Sequence, residues 1–143
     1  MRLRLLLPLL LLTLAPAIHA APTFEATAEG YFDFVDYGGG VITPAQIKNG
    51  EWRSFYIIDT RSPERYQNGI IPGAVNIDWR QLFARRNEVP RDKLVLLYCD
   101  SGMLSAQAHF ALRAAGYDNV RLLQAGMVGW RAENGPITAA PKP

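Results

Sequence analysis

The sequence predicts an α/β domain, in which helices cover both faces of a mostly parallel β-sheet. Short apolar segments alternate along the chain with helix-like segments, several of which begin at Ser, Thr or Asp and end at glycine. The most apolar predicted strand, residues 94–98, is continuous rather than alternating, which is typical of a strand buried on both faces of a parallel sheet. The chain has 143 residues, of which 49% are hydrophobic, and this suits one domain with an ordinary core.

The predicted elements follow one another without an internal repeat. Residues 21–40 are expected to form a flexible leader and an aromatic edge segment, ended by a turn at Gly38, Gly39 and Gly40. The domain itself is expected over residues 41–138, followed by a tail over 139–143. The predicted strands are short and apolar, and span residues 55–59, 75–77, 94–98 and 120–123. The predicted helices begin after a capping residue or glycine loop, and end near residues 48, 68, 86, 115 and 134.

The first 20 residues have the pattern of a secretory signal peptide. Arg2 and Arg4 precede an apolar run over residues 5–14, and small residues follow up to Ala21. The run is shorter than the roughly 20 residues that cross a bilayer, so a membrane anchor is the weaker interpretation. We therefore expect cleavage near residues 17–21 and a periplasmic or secreted mature protein.

Removal of this peptide leaves the predicted mature chain close to neutral. The two arginines of the peptide are lost from a total of 15 Lys and Arg residues, and the 13 Asp and Glu residues all remain. A balanced charge does not favour nucleic acid or an anionic membrane surface as a partner. The composition says nothing about the oligomeric state.

Cys99 is the only cysteine in the chain, and it lies where the central strand meets a glycine-containing loop that opens a helix. A single cysteine cannot form an internal disulfide, so in an exported protein it is either reactive or bonded to another molecule. Backbone N–H groups in the loop and the positive end of the helix dipole favour a thiolate at this position. We therefore expect a solvent-accessible, reactive thiol rather than a buried apolar filler.

Three motifs, in order over residues 55–137, resemble those of the rhodanese family. The matching segments are IDTR (58–61) with GIIPGAVNI (69–77), the loop CDSGML (99–104), and LQAGMVGW (123–130) closed by Gly135 and Pro136. With its signal peptide, the chain is most similar to small exported single-domain rhodaneses. The resemblance implies a rhodanese-like fold with a five-stranded, mostly parallel sheet, and a sulfurtransferase that needs no cofactor.

The resemblance also implies a mechanism centred on Cys99. Its thiolate would take the outer sulfur of a donor such as thiosulfate, hold it as a persulfide, and pass it to a thiophilic acceptor such as cyanide or a thiol. Backbone donors of the loop would hold the terminal sulfur without a metal. The implied binding loop consists of Asp100, Ser101, Gly102, Met103, Leu104 and Ser105. Counted from the cysteine, the segment from Cys99 to Leu104 has six residues, as in the sulfur-handling members, whereas the same segment of the related cell-cycle phosphatases has one residue more.

Two loop residues differ from those frequent in active rhodaneses. Leu104 stands where arginine is frequent, and Asp100 stands where a basic residue is frequent. A carboxylate beside the thiol opposes thiolate formation and repels an anionic donor, and leucine provides no bidentate donor. Loss of one charge-assisted contact costs about 1.5–3 kcal/mol, or roughly ten- to a hundredfold in affinity. We therefore predict weak use of thiosulfate, with a more apolar or thiol-bearing sulfur carrier, either a small thiol or a protein.

The remaining polar candidates have structural interpretations. Asp59 and Arg61 end a strand beside the Cys99 loop, where they either support the loop or form an ion pair that ties strand to helix; the ion pair is favoured. His109 lies too far along its helix to act as a base, so we assign it to the helix surface or to packing. No second ligand accompanies it, and no metal site is predicted.

Two alternatives to the enzyme remain open from the sequence. In the first, the domain is a non-catalytic module that binds a partner protein and has lost donor recognition through Asp100 and Leu104. In the second, it is a thiol redox or sensor protein in which Cys99 forms a mixed disulfide.

Overall fold

A computed structural model describes residues 21–142, which contain a five-stranded parallel sheet. The strands are β1 (Val41–Ile42), β2 (Tyr56–Asp59), β3 (Val75–Asn76), β4 (Val95–Tyr98) and β5 (Val120–Leu123). Their order across the sheet is β1-β5-β4-β2-β3, so β4 is the central strand, as its continuous apolar sequence predicts. The proposed signal peptide lies outside the described residues.

Residues 21–142 also contain six α-helices and two short 3₁₀ helices, of which α1 precedes the first strand and α6 follows the last. The helices are α1 (Phe24–Phe34), α2 (Pro44–Ile47), α3 (Pro63–Gln67), α4 (Trp79–Leu82), α5 (Met103–Ala114) and α6 (Gly126–Ala132), with 3₁₀ helices at Glu51–Ser54 and Arg86–Glu88. Pro44 and Pro63 occupy the first turns of α2 and α3, where the missing N–H of proline costs nothing. No helix within residues 21–142 is long and apolar enough to cross a membrane.

The sheet is covered on both faces, which confirms the predicted α/β architecture. Successive residues of β4 point to opposite faces, so Leu96 packs in one cluster and Leu97 in the other. The first cluster contains Trp130 of α6, and the second contains Leu112 of α5. Both of these side chains are fully buried, so each face has a core of its own.

The leader is the main difference from the predicted elements. The expected flexible segment is the helix α1, because Thr23 Oγ1 accepts a hydrogen bond from Ala26 N and Tyr31 and Phe32 pack against Phe110 of α5. The ring centroids of the two aromatic residues lie 5.1 and 5.6 Å from that of Phe110. The aromatic segment is therefore not a sheet edge.

Two further boundaries also differ. The edge strand is β1, which pairs with β5 and which the sequence interpretation missed because two residues are too short to show a period. The helix predicted over residues 79–86 ends at Leu82, and the chain then turns into the 3₁₀ helix at Arg86–Glu88.

Parallel pairing brings the functional residues to one edge of the sheet. Asp59, the last residue of β2, lies opposite Tyr98, the last residue of β4, so Cys99 follows directly at the same edge. The residues after β5 reach this edge too, because β5 runs parallel to β4. The carboxyl edge of a parallel α/β sheet is where such folds usually bind ligands.

Candidate active site

The loop after β4 folds back on the sulfur of Cys99. Gly102 N donates a hydrogen bond to Cys99 Sγ at 3.2 Å, and Ser105 Oγ lies 3.4 Å from the same atom. Gly102 adopts a φ of 93°, which favours glycine and turns its amide toward the sulfur before α5 begins at Met103. Of the six predicted loop residues, the structure brings Gly102 and Ser105 into contact with Sγ.

The thiol is covered in this arrangement, and the expectation of a solvent-exposed thiol is wrong. Only 1% of Cys99 is exposed, because the loop closes over the sulfur and Ser105 beneath it is itself fully buried. Met103 and Leu104 lie on the outside of the loop, 73% and 37% exposed, and Ser101 is exposed as well. A donor therefore cannot touch Sγ unless the loop is displaced.

The start of α6 holds the other side of the loop. Met127 N donates to Cys99 O at 2.8 Å, and Val128 N donates to Asp100 O at 2.9 Å. Gly126 has a φ of 51°, and a Cβ at this position would lie 2.3 Å from Cys99 O. The closing motif therefore fixes the Cys99–Asp100 peptide, a role for Gly126 that sequence reasoning missed.

Asp59 and Arg61 form the ion pair that the sequence favours. Arg61 Nε donates to Asp59 Oδ1 at 2.9 Å and Arg61 Nη2 to Oδ2 at 2.5 Å, and both side chains are almost completely buried. Arg61 Nη2 also donates to Gly69 O at 2.8 Å, which ties the strand end to the turn that follows α3. Burial opposes the charge of Arg61, but the hydrogen bonds and charge of Asp59 outweigh it and raise the pKa of the guanidinium.

Asp100 is paired with arginines rather than directed at the thiol alone. Its Oδ1 lies 3.5 Å from Arg61 Nη1 and its Oδ2 lies 3.8 Å from Arg65 Nη1, with the side chain 46% exposed. These two positive charges partly offset the negative potential that the Asp100 carboxylate creates at the sulfur. Leu104 is then the loop residue that differs most from those that the resemblance implies.

A cavity of about 440 Å³ lies beside the loop. Its lining includes Arg61, Arg65, Asn68, Asp100, Met127 and Arg131. Sequence reasoning missed the contributions of Arg65, Asn68 and Arg131, because these residues belong to α3, its C-terminal cap and α6. They meet only when the fold brings the two helices to the same edge of the sheet.

His109 is buried and packs inside the domain, so of the two positions expected for it the packing position is observed and the solvent-exposed one is not. It is 4% exposed, and burial together with the positive charge of Arg113 lowers its pKa to about 4. It is therefore neutral at physiological pH. Within residues 21–142, no group of three His, Cys, Asp or Glu side chains is arranged to hold a metal ion.

The family comparison agrees with this geometry. The sequence model of the family described as Rhodanese-like domain matches residues 43–133, which is more than half of the chain. The chain belongs to the rhodanese-like domain family. This confirms the family and the five-stranded α/β fold that the three motifs predict.

Relatives of this rhodanese-like chain support sulfur transfer as its general activity. A protein of Allochromatium vinosum named sulfurtransferase is 35% identical over 83 residues, which cover 58% of this chain and 78% of that protein. The crystal structure of a rhodanese-related protein from Thermoplasma volcanium has 26% identity and a TM-score of 0.64, covering 68% of this chain and 96% of that one. The solution structure of a rhodanese-like domain from Anabaena has 25% identity and a TM-score of 0.64, covering 71% and 80%.

Proposed function

We propose that the protein is an exported sulfurtransferase that carries sulfane sulfur as a persulfide on Cys99. The observation that supports this most directly is the hydrogen bond from Gly102 N to Cys99 Sγ at 3.2 Å, at the carboxyl edge of the central strand. Ser105 Oγ lies 3.4 Å from Sγ and 3.1 Å from Gly102 O, so its single proton can be donated to either atom. Hydrogen-bond donors fixed in a nearly dry site stabilise a sulfur anion without reorganisation.

The reaction proceeds in two sulfur-transfer steps. With thiosulfate as donor, the Cys99 thiolate attacks the outer sulfur, the sulfur–sulfur bond breaks, and sulfite leaves with the bonding electron pair. The persulfide anion on Cys99 then gives its terminal sulfur to cyanide or a thiolate, and the Cys99 thiolate is restored. Met103, Leu104 and Ser105 form the first turn of α5, whose amides have no acceptor within the helix and so are suited to the terminal sulfur.

The preferred donor is thiol-borne sulfur rather than thiosulfate. Leu104 presents an apolar side chain at the position where a guanidinium would donate hydrogen bonds to the sulfonate end of thiosulfate. We expect Leu104→Arg to raise kcat/KM for thiosulfate about ten- to a hundredfold, since it adds one charge-assisted contact. Steady-state thiocyanate formation measures this, and an unchanged efficiency in Leu104→Arg would falsify the assignment of weak thiosulfate use to Leu104.

Intact mass after incubation with a sulfur donor tests the proposal as a whole. Wild-type protein is expected to gain one sulfur atom from thiosulfate or a glutathione persulfide, and cyanide is expected to remove it. Cys99→Ser serves as the control and must gain nothing. Absence of an adduct with every donor contradicts the enzyme, and an adduct formed only with oxidised small thiols indicates the redox alternative.

A partner-binding module is the second candidate. The 1% exposure of Cys99 and the exposed apolar side chains of Met103 and Leu104 favour it, because a covered sulfur with an apolar rim suits protein contact more than turnover. The same mass experiment separates the two functions, since a module without transferase activity leaves Cys99 unmodified.

Export forms part of the proposal and has its own test. The apolar run over residues 5–14 behind Arg2 and Arg4 supports it. Protein recovered from the periplasm or medium of a Gram-negative host is expected to begin within residues 18–22. Recovery of only full-length protein from the cytoplasm would contradict export.

A further inference from the structure

The charges around the cavity beside the loop are unbalanced. Three of its lining residues are arginines, Arg61, Arg65 and Arg131, whereas Asp100 is the only carboxylate among them. Arg61 lies within salt-bridge distance of both Asp59 and Asp100, so these two carboxylates together face three guanidinium groups. Asp100 stands at a loose 3.8 Å from Arg65, and Arg131 forms no salt bridge with any residue in the range 21–142. The site therefore has spare positive charge.

The cavity is also close to the reacting residue. Asp100 lines it and is the next residue after Cys99, so their Cα atoms are about 3.8 Å apart. Met127 lines it as well, and its amide is bonded to the Cys99 carbonyl at 2.8 Å. Arg131 follows Met127 by four residues in α6, which places both side chains on the same face of that helix.

We infer that Arg65 and Arg131 form an anion-binding pair that holds a carboxylate on the sulfur-bearing substrate, beyond its reacting sulfur. This assignment of substrate class rests on the proposed function. A cavity of about 440 Å³ lies within the usual range for small-molecule sites, which is roughly 300–1,000 Å³. The chemical class is a thiol or persulfide with a carboxylate a few bonds from sulfur. Arg65 of α3 and Arg131 of α6 thus provide the positive charge that the apolar side chain of Leu104 cannot provide.

Alkylation of Cys99 by two reagents of similar size tests the pair without requiring sulfur transfer. In both iodoacetate and iodoacetamide, the Cys99 thiolate displaces iodide from the CH₂ carbon, but only iodoacetate carries a carboxylate. The ratio of the two second-order rate constants cancels any change in thiolate fraction and reports the attraction of an anion. Liquid chromatography and mass spectrometry of the Cys99 peptide measure each rate.

We expect the iodoacetate-to-iodoacetamide ratio to fall about three- to tenfold in the double variant Arg65→Gln/Arg131→Gln. Asp100→Asn is expected to raise the ratio, because it removes the competing carboxylate. Lys93→Gln is the control for a distant loss of charge: it removes a positive charge just before the amino end of β4, at the opposite edge of the sheet, and must leave the ratio unchanged.

A ratio unchanged in the double variant overturns the inference, and so does a fall of equal size in Lys93→Gln. Failure of both reagents to modify native Cys99 overturns this inference together with the proposed function. A charge-dependent ratio in a protein that never gains sulfur overturns only the proposed function. Conversely, a persulfide that forms without any effect of Arg65 and Arg131 on the ratio overturns only the anion pair.

A second experiment varies the thiol acceptor and tests whether the pair binds a carboxylate carried by that acceptor. With sulfur-loaded protein, the double variant is expected to raise KM for glutathione about three- to tenfold while kcat stays within twofold. The KM for 2-mercaptoethanol, which has no carboxylate, is expected to stay unchanged. If KM rises only for the donor thiosulfate, the pair binds a sulfonate and the carboxylate assignment is wrong.

Discussion

Gly126→Ala is expected to disrupt the Cys99 loop more than Gly102→Ala, the equivalent substitution at the other glycine of the site. The added Cβ would lie 2.3 Å from Cys99 O and 3.0 Å from the carbonyl carbon and oxygen of Asp100. All three atoms belong to backbone, which cannot rotate away as a side chain would. The loop and the start of α6 must therefore move apart.

The expected cost follows from two contributions. A non-glycine residue at the φ of 51° costs roughly 1–2 kcal/mol. Separation of the loop from α6 also weakens the hydrogen bonds from Met127 N to Cys99 O and from Val128 N to Asp100 O, at about 1 kcal/mol each. The free energy of unfolding is therefore expected to fall by about 3–4 kcal/mol.

Gly116 provides a matched control for this prediction. It also has a positive φ, 79°, but a Cβ there would meet no atom within 4 Å. Gly116→Ala is expected to cost only the backbone contribution, about 1–2 kcal/mol, and to leave persulfide formation unchanged. Urea unfolding followed by tryptophan fluorescence gives the free energy of unfolding of both variants. The rate of persulfide formation on Cys99 shows whether the loop is disturbed.

The reasoning is refuted if Gly126→Ala and Gly116→Ala lose the same stability. It is also refuted if Gly126→Ala loads sulfur at the wild-type rate, because the Cys99–Asp100 peptide would then not depend on contact with α6. We expect at least a tenfold slower rate at a temperature where both variants are folded.

Three further predictions concern the sulfur, the buried ion pair and the buried histidine. Ser105→Ala removes the hydroxyl 3.4 Å from Cys99 Sγ and is expected to slow sulfur loading about tenfold, with the unfolding free energy changed by no more than about 1 kcal/mol; an unaffected rate contradicts a role for the hydroxyl. Arg61→Gln leaves Asp59 buried without its partner and is expected to cost about 3–5 kcal/mol in urea unfolding, so a loss below about 1 kcal/mol contradicts the pairing. The pKa of His109 is lowered from 6.5 to about 4 in the folded protein, so the unfolded chain binds a proton first as the pH falls. Between pH 8 and pH 5 the wild-type protein is expected to lose about 2 kcal/mol more stability than His109→Gln, and parallel pH profiles of the two proteins are the contrary result.

The parts of the fold that the sequence predicts are those specified by local patterns. Residues 94–98 are continuously apolar, and they form the central strand because only the middle of a parallel sheet buries both faces. Ser62 and Asp78 cap the helices that they precede, since their side chains accept from amides of the first turn. The position of Cys99 at the strand end follows from the same patterns.

The parts that the sequence does not predict depend on contacts between distant segments. The helix α1 has a cap at Thr23, but its aromatic residues find their partner Phe110 almost 80 residues later, and no local period reveals that pairing. Asp100 reads as an unpaired charge beside the thiol because Arg61 and Arg65 precede it by more than 30 residues. The burial of Cys99 likewise results from closure of the loop in three dimensions.

The cover over Cys99 has a consequence for the chemical lifetime of the protein. Oxidation of a cysteine to sulfinic and sulfonic acids is irreversible in most proteins, and it proceeds only where peroxide can touch the sulfur. A thiol that is 1% exposed is shielded from such oxidants while the loop is closed. The closed loop therefore protects Cys99 from oxidation. Variants in which the loop is displaced are expected to be inactivated by hydrogen peroxide faster than the wild-type protein.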